Sequence, residues 1–283
     1  MGLGLVSPIA VWPTRKMIRD HARKTNRPYA SREPDSRERK GTHHMKTRLV
    51  MTALCLLFGG ASLLHAESPT GKLTGRIIYT GQAPLDHAIA VARDSSFCGA
   101  SIMVPSVTVH PKTRGLEGAV VSIESDSLPT ADSPRPPLVL SNSRCAFSPR
   151  TAVGQVGQQL EIRNDDPVMH NTHISMGPRT FVNVAMIPAS RPVGKPLKQP
   201  GIYSVKCDAH KFMHGNVIAF SHPFFSITDE TGAFEIANLP AGEHLVTIWH
   251  DTLGTYQQTV TIPAHGDATM SIEYPIHADA KKK

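Results

Sequence analysis

The sequence places three metal-binding side chains within seven residues: a thiol at Cys207, an imidazole at His210 and a thioether at Met213. They follow the alternating apolar segment 201–207, which predicts a strand that ends at the thiol. Sulfur donors combined with imidazole favour copper or, less often, zinc. We therefore expect a metal site at the end of this strand and on the short loop after it.

Three donors on one loop do not close a metal site, so a fourth donor must come from elsewhere in the chain. The best source is His170, which follows a predicted strand at 156–164 and a polar turn. Two histidines, one cysteine and a weakly bound methionine form the donor set of one-electron blue-copper centres. Asp165 and Asp166 in the same turn lie near no nucleophile motif and are interpreted as turn-formers.

Two motifs in this part of the chain resemble those of the cupredoxins, which are small Greek-key β-sandwiches that hold one copper ion. The motifs are the strand and Asn-x-x-x-x-x-His-Asn segment at 162–171 and Gly-x-Tyr-x-x-x-Cys-x-x-His-x-x-Met at 201–213. The resemblance covers about 138–222. It implies in-plane ligands His170, Cys207 and His210, an axial ligand Met213, and a hydrogen-bonding role for Asn171 between the two ligand loops.

The gap between His210 and Met213 is two residues, which is shorter than in plastocyanin-like proteins. His214 is therefore the alternative axial ligand. A binuclear copper loop has a similarly short gap but needs a second cysteine, which this loop lacks, so one copper ion is expected. His173 and Met176 are interpreted as part of a solvated loop rather than as a second ion site. His222 and His250 are interpreted as packed or hydrogen-bonded side chains.

The remaining pattern predicts an all-β protein. Short apolar segments alternate with Gly- and Pro-rich turns, and no long helical pattern occurs in a chain with 23 prolines and 21 glycines. Strands are predicted at 71–80, 118–124, 201–207 and in most of 225–274, with a short strand at 107–110. Residues 177–200, which contain several prolines, are interpreted as a loop.

The formal net charge of +7 is concentrated at the N-terminal end of the chain. From Glu67 onward, 18 Lys and Arg residues face 19 Asp and Glu residues. This balance argues against a nucleic-acid partner. Residues 45–66 have the charged start, apolar run and small residue of a signal peptide, with cleavage expected after Ala66. A retained membrane anchor is the alternative; otherwise the membrane contact is transient, and the mature protein is expected in the periplasm or secreted.

Export makes the cysteines informative, because three remain after the signal peptide: Cys98, Cys145 and Cys207. In an oxidising compartment, three cysteines are typical of one disulfide and one thiol with another role. If Cys207 binds metal, Cys98 and Cys145 are the candidate disulfide. The alternative is that Cys207 is itself half of a disulfide.

A second resemblance lies in residues 227–246, where a Thr-Asp-x-x-Gly-x-Phe turn precedes Leu-Pro-x-Gly and a strand. This pattern is similar to the carboxypeptidase-regulatory-like (prealbumin-type) β-sandwich, whose first half also resembles the segments 71–80 and 118–121. The motif concerns fold rather than chemistry. The copper segment is then either inserted in this sandwich, between about 125 and 224, or arranged in tandem with it.

The expected organisation is a disordered leader or mis-assigned start (1–44), a signal peptide (45–66), the first part of a prealbumin-like sandwich (67–125), a cupredoxin-like copper domain (138–222), a carboxypeptidase-regulatory-like part (223–275) and a disordered tail (276–283). The expected function is one-electron transfer with a periplasmic or surface redox protein, without enzymatic activity. Copper storage or delivery, and a non-redox carbohydrate- or protein-binding module, are the alternatives.

Overall fold

The computed structural model describes residues 69–82, 86–124, 128, 135–264 and 266–274, and the expected leader, signal peptide and C-terminal tail lie outside them. The described part is almost entirely β-structure, as predicted, and its one α-helix is the single turn α1 (Ser95–Cys98). The strands, in chain order, are β1 (Thr70–Tyr79), β2 (His87–Ala90), β3 (Ser101–Val104), β4 (Val120–Glu124), β5 (Leu138–Ser143), β6 (Ala146–Ser148), β7 (Thr151–Gln155), β8 (Gln159–Asn164), β9 (His170–Met176), β10 (Arg179–Met186), β11 (Val193–Pro196), β12 (Gly201–Cys207), β13 (His214–Phe220), β14 (Phe225–Ile227), β15 (Ala233–Pro240), β16 (Gly242–His250), β17 (Gly254–Ile262) and β18 (Ala268–Tyr274). No helix in these ranges has the length and hydropathy needed to cross a bilayer.

Two sheets, which we call the central sheet pair, are built from β5 to β13. One has the order β10-β9-β12-β13-β7 and the other β11-β8-β5-β6. Alternate side chains of both sheets meet in one core, in which Leu140, Ile162, Ile174 and Val217 have no exposed surface. Asn142 joins the two sheets inside this core, because its side chain donates to the Thr172 hydroxyl at 3.0 Å.

The strands on either side of the central pair in sequence form two further sheets, which we call the flanking sheet pair. Their orders are β15-β1-β18 and β14-β4-β16-β17. Leu73, Val121, Val246 and Ile248 from these sheets share one core. Each sheet therefore combines strands from before β5 with strands from after β13: the chain leaves the flanking pair after Glu124 and returns to it at β14.

The two sheet pairs meet along β13, which is apolar on both faces. Val217 and Ala219 belong to the central core, whereas Ile218 and Phe220 belong to a smaller cluster with Trp249 of the flanking pair. The Phe220 ring stacks on the Phe225 ring with centroids 4.7 Å apart. Burial on both faces explains why 217–220 is a continuous apolar run rather than an alternating one.

A segment from the first third of the chain lies over the central pair, and we call residues 86–104 the cover. It consists of the hairpin β2–β3 with α1 at its tip. Val91 is buried in the central core, and Cys98, Ile102 and Val104 pack against it. Although the cover falls within the range 67–125, these four side chains pack against the central core rather than the flanking one.

The interpretation of residues 177–200 as a loop was wrong. Gly177 and Pro178 form a tight turn, and β10 returns from it antiparallel to β9 over eight residues. The prolines of this range lie in the turn, in the connection after β10, at the end of β11 and directly before β12, so none of them interrupts β10. The predicted strand at 107–110 is also absent, since only Val109 forms an isolated bridge there.

Candidate metal centre

Pairing of β9 with β12 brings the two ligand motifs together. Thr172 lies opposite Cys207 in the antiparallel register, so the first residue of β9, His170, comes to the C-terminal end of β12. The loop after β12 then turns back: the Met213 N–H donates to the His210 carbonyl at 2.9 Å, and the Cys207 N–H donates to the Met213 carbonyl at 3.1 Å. These bonds hold the loop that carries His210 beside the end of β9.

His170, Cys207 and His210 form one buried group whose donor atoms all lie within 4.8 Å of one another. Their exposed fractions are 0%, 2% and 1%. The Nδ1 atoms of the two histidines are 3.1 Å apart, and the Cys207 Sγ is 3.7 Å from the Nδ1 of His210. Cys207 is the free cysteine of the described residues.

The opposite edge of each imidazole is bound by a carboxylate. The His170 Nε2 is 2.8 Å from the Asp166 Oδ2, and the His210 Nε2 is 3.0 Å from the Asp94 Oδ2. An ionised carboxylate accepts hydrogen bonds only, so both Nε2 atoms are assigned as the protonated nitrogens. Each neutral ring then directs an unprotonated Nδ1 to the shared centre.

Two unprotonated nitrogens at 3.1 Å repel each other unless a proton or a cation lies between them. Burial lowers the pKa of His170 below its usual value, against the opposing hydrogen bond and charge of Asp166. The added proton is therefore disfavoured, and a metal cation is the natural occupant of this position.

Two of the three donor separations fit one ion, and the third is within 4.8 Å. Metal–nitrogen bonds of about 2.0–2.1 Å and metal–sulfur bonds of about 2.3 Å, the lengths found at zinc, place neighbouring donors of a tetrahedral ion roughly 3.3–3.6 Å apart. The observed separations of 3.1 and 3.7 Å are close to these values. A thiolate with two imidazoles is a donor set that suits copper and zinc.

Asp166 is held by a clamp of backbone donors. Its carboxylate accepts the N–H groups of Arg144 at 2.6 Å and Cys145 at 2.8 Å, both in the turn between β5 and β6. These two residues have positive φ angles of 53° and 57°, which turns their N–H groups towards one point. The buried Asp166 thus positions His170, whereas the sequence interpretation had made it a turn-former.

Asn171 forms hydrogen bonds between β9 and the end of β12. Its backbone N–H donates to the Cys207 Sγ at 3.3 Å, and its side-chain oxygen accepts the Asp208 N–H at 3.4 Å. Its amide nitrogen donates to Asn183 at 2.7 Å. A hydrogen bond to the sulfur stabilises the thiolate and restrains its position.

The two candidates for the fourth donor lie in different surroundings. Met213 is 2% exposed and belongs to the same core cluster as Cys207. His214 is exposed, and its ring contacts the Arg150 guanidinium at 3.0 Å and the Phe212 carbonyl at 3.2 Å. Burial beside the thiol favours Met213.

The predicted pairing of Cys98 with Cys145 is confirmed. The Cys145 sulfur, the Asp166 carboxylate and a His170 ring nitrogen lie within 4.8 Å of one another. Because this sulfur is bonded to Cys98, it is no thiolate donor. The disulfide instead ties the tip of the cover to the turn that clamps Asp166.

The other histidines singled out in the sequence lie away from the shared centre. His173 is on β9 rather than in a loop, and its ring contacts Asp208 at 3.0 Å. The His222 Nδ1 accepts the Phe224 N–H, and the His250 Nδ1 accepts the Thr252 N–H. The residues that sequence reasoning missed are Asp94 and Asp166. Of these two, only Asp166 could have been found from the sequence, because it lies four residues before His170.

Comparisons with solved structures return copper proteins. Amicyanin from Paracoccus versutus is 20% identical, with a TM-score of 0.28, over 35% of this chain and 97% of that protein. A purple cupredoxin from Nitrosopumilus maritimus is 19% identical, with a TM-score of 0.27, over 30% and 100%. A copper-containing nitrite reductase from Thermus scotoductus is 16% identical, with a TM-score of 0.28, over 51% of this chain and 28% of that one. No protein-family model matches the chain, and no curated protein matches its sequence.

Proposed function

We propose that this protein is exported and binds one copper ion through His170, Cys207 and His210, with Met213 as the fourth donor, and that it exchanges single electrons with a periplasmic or surface redox protein. The observation that carries the proposal is the convergence of two Nδ1 atoms and one free thiol in a buried centre. Copper supplies the one-electron chemistry when bound. The chain supplies a buried site in which the two histidines and the thiol already lie together.

Preorganisation favours electron transfer over the delivery of copper. The donors are nearly inaccessible, and the additional side chains that a transfer path would use are held elsewhere: His173 by Asp208, and His214 by Arg150. A donor set that is fixed before an electron arrives needs little rearrangement afterwards. We assign the flanking sheet pair the role of a prealbumin-like scaffold, into which the copper-binding segment is inserted.

The test is a visible absorption titration of the purified protein with Cu(II), beside the Cys207→Ser variant. We expect an intense thiolate-to-copper charge-transfer band that saturates at one copper per chain and is lost in Cys207→Ser, because the serine oxygen cannot supply that transition. Absence of the band in the unmodified protein would contradict the proposal. Strong Cu(I) preference with ready release to a chelator would support delivery instead.

Two further variants identify the fourth donor. Met213→Leu replaces the thioether with a side chain of similar volume, so the band should shift while the copper stoichiometry stays at one. His214→Gln changes the exposed neighbouring side chain and should leave the spectrum unchanged. The reverse result would assign His214 as the fourth donor.

A further inference from the structure

Asp94 reaches the metal centre from outside the central sheet pair. It lies in the cover, 116 residues before His210 in sequence, and its carboxylate is the partner of the His210 Nε2 at 3.0 Å. The His210 side chain has no exposed surface, and the Asp94 side chain retains 32% of its own. The contact therefore closes the outer edge of an imidazole that the two ligand motifs alone leave without a partner.

Backbone hydrogen bonds of the cover fix the position of Asp94, and its carboxylate takes no part in them. The Asp94 carbonyl accepts the N–H groups of Phe97 and Cys98, which forms the turn α1. Its side chain makes no capping bond to that turn, and its φ of 58° directs the side chain away from a helical path. Cys98 then fastens the turn to Cys145. The Asp94 carboxylate is thus available to His210.

The charges around the centre favour a doubly charged ion. A deprotonated Cys207 and the carboxylates of Asp94 and Asp166 place three negative charges around two neutral imidazoles. The ligands are buried, so solvent screens the attraction less than it would at the surface. Such a field stabilises Cu(II) more than Cu(I), because the attraction scales with the charge of the ion.

We propose that Asp94 is a positioning residue of the metal centre: it fixes His210 with Nδ1 towards the metal and, through its charge, favours divalent over monovalent copper. For copper, the inference rests on the proposed function. The orientation of His210 applies equally to Zn(II), which has no redox chemistry.

Two substitutions separate the charge of Asp94 from its hydrogen bond. Asp94→Asn keeps an oxygen that can accept from the His210 Nε2 but removes the charge, and Asn tolerates the positive φ. Asp94→Gly keeps the backbone conformation and removes both the charge and the hydrogen-bond acceptor. Asp86→Asn is the matched control, since it removes the same charge from an exposed position at the start of the cover.

The readouts are the Zn(II) and Cu(II) dissociation constants and the copper midpoint potential. Changes in the partners of metal ligands cost about 10- to 100-fold in affinity, so we expect at least a tenfold loss of Zn(II) affinity in Asp94→Gly and a smaller loss in Asp94→Asn. A tenfold greater loss for Cu(II) than for Cu(I) in Asp94→Asn raises the potential by about 59 mV. Asp86→Asn should match the unmodified protein.

Zn(II) affinities and potentials that are equal in all three variants would overturn the inference. The proposed function is tested separately. If the unmodified protein shows no thiolate–copper band, the electron-transfer proposal is wrong. The Zn(II) titration still decides whether Asp94 orients His210. A potential that rises equally in Asp94→Asn and Asp86→Asn would assign the effect to net charge and would also overturn a specific role for Asp94.

Discussion

The candidate metal centre has two imidazoles whose Nε2 atoms contact carboxylates from distant parts of the chain. Asp166 lies four residues before His170, and Asp94 comes from the cover. Each carboxylate fixes which ring nitrogen carries the proton and therefore which one faces the metal. Removing either carboxylate should therefore weaken metal binding.

Asp166→Ala should lose metal affinity and stability together. It removes the partner of the His170 Nε2 and leaves the Arg144 and Cys145 N–H groups without their acceptor. We expect a loss of about 10- to 100-fold in Zn(II) affinity and about 1–3 kcal/mol of unfolding free energy for the buried Cys145 N–H group left unpaired. Titration and urea denaturation measure the two effects.

The neighbouring Asp165→Ala is the control for this variant. Asp165 is exposed and accepts the Ser141 hydroxyl, so its removal should leave metal affinity unchanged and cost little stability. Equal metal affinities in the two variants would contradict the positioning role of Asp166.

His222 should make the protein less stable in mild acid. Burial lowers the pKa of His222 below its usual value, although its backbone hydrogen bonds oppose this shift. In the unfolded chain this histidine takes up a proton as pH falls through about 6.5, whereas in the folded chain it stays neutral to lower pH. The unfolding free energy therefore decreases as pH falls below about 6.5, by at most about 1.4 kcal/mol per pH unit from this group.

His222→Gln should reduce that loss, as measured by urea denaturation of the metal-free protein at about pH 7.5 and about pH 5.5. His87→Gln, at an exposed position on β2, is the control and should keep the original pH dependence. The same loss of stability in the unmodified protein and in His222→Gln would show that other groups cause it.

The meeting of His170, Cys207 and His210 in one buried group could be predicted from sequence, because these residues lie in two short motifs, at 162–171 and 201–213. Asp94 could not be predicted in the same way, because nothing in residues 90–98 marks an aspartate that contacts a histidine 116 positions later. Its role depends on where the cover folds. That position follows from a disulfide and a few apolar contacts rather than from any local spacing.

At the level of elements, most strands predicted from alternating apolar side chains are present, although the one at 107–110 is not. The prediction of a loop at 177–200 failed because its prolines were counted over too wide a range. The segment before β10 and the segment after it contain prolines, but Arg179–Met186 contains none. A strand needs free N–H groups only along its own length. The sequence is therefore consistent with a β9–β10 hairpin whose turn begins at Gly177.

The cover depends on the disulfide more than on its own packing. Apart from Val91, none of its described apolar side chains is fully buried, and the bridge closes a separation of 47 residues. The loop-entropy estimate for a bridge of this length is about 4 kcal/mol. The double variant Cys98→Ala, Cys145→Ala should lose stability up to this amount.

The same double variant should bind Zn(II) more weakly, because Asp94 is then held less firmly against His210. Urea denaturation and Zn(II) titration, each compared with the unmodified protein, measure both effects. Loss of stability with unchanged Zn(II) affinity would mean that the cover keeps its place without the bridge, and that the disulfide serves the fold alone.

At the level of the whole molecule, the cluster around β13 should couple the two sheet pairs. Phe220 stacks on Phe225, and Arg150 of the central pair forms an ion pair with Asp251 at 2.9 Å. Metal bound to the central pair should therefore also protect the flanking pair. At a free metal concentration of 100 times the dissociation constant, the expected gain in unfolding free energy is about 2.7 kcal/mol.

Trp249 reports on the flanking pair, so its fluorescence can test this coupling in a Trp12→Phe background. We expect Zn(II) to raise the urea midpoint of the Trp249 signal, and to leave it unchanged when Cys207→Ser is added. A midpoint that does not respond to Zn(II) in the unmodified site would show that the sheet pairs unfold independently.

The position of strand β1 in its sheet determines how late during synthesis this strand can find its partners. It lies between β15 and β18, and its parallel register with β18 runs from Leu73 opposite Ala268 to Tyr79 opposite Tyr274. During synthesis all metal donors are present once His214 has emerged, yet β1 still lacks both of its neighbours. Unpaired strand edges promote aggregation. A chain truncated between His214 and Ala233 should therefore contain all the proposed copper donors and still fail to accumulate as a soluble protein.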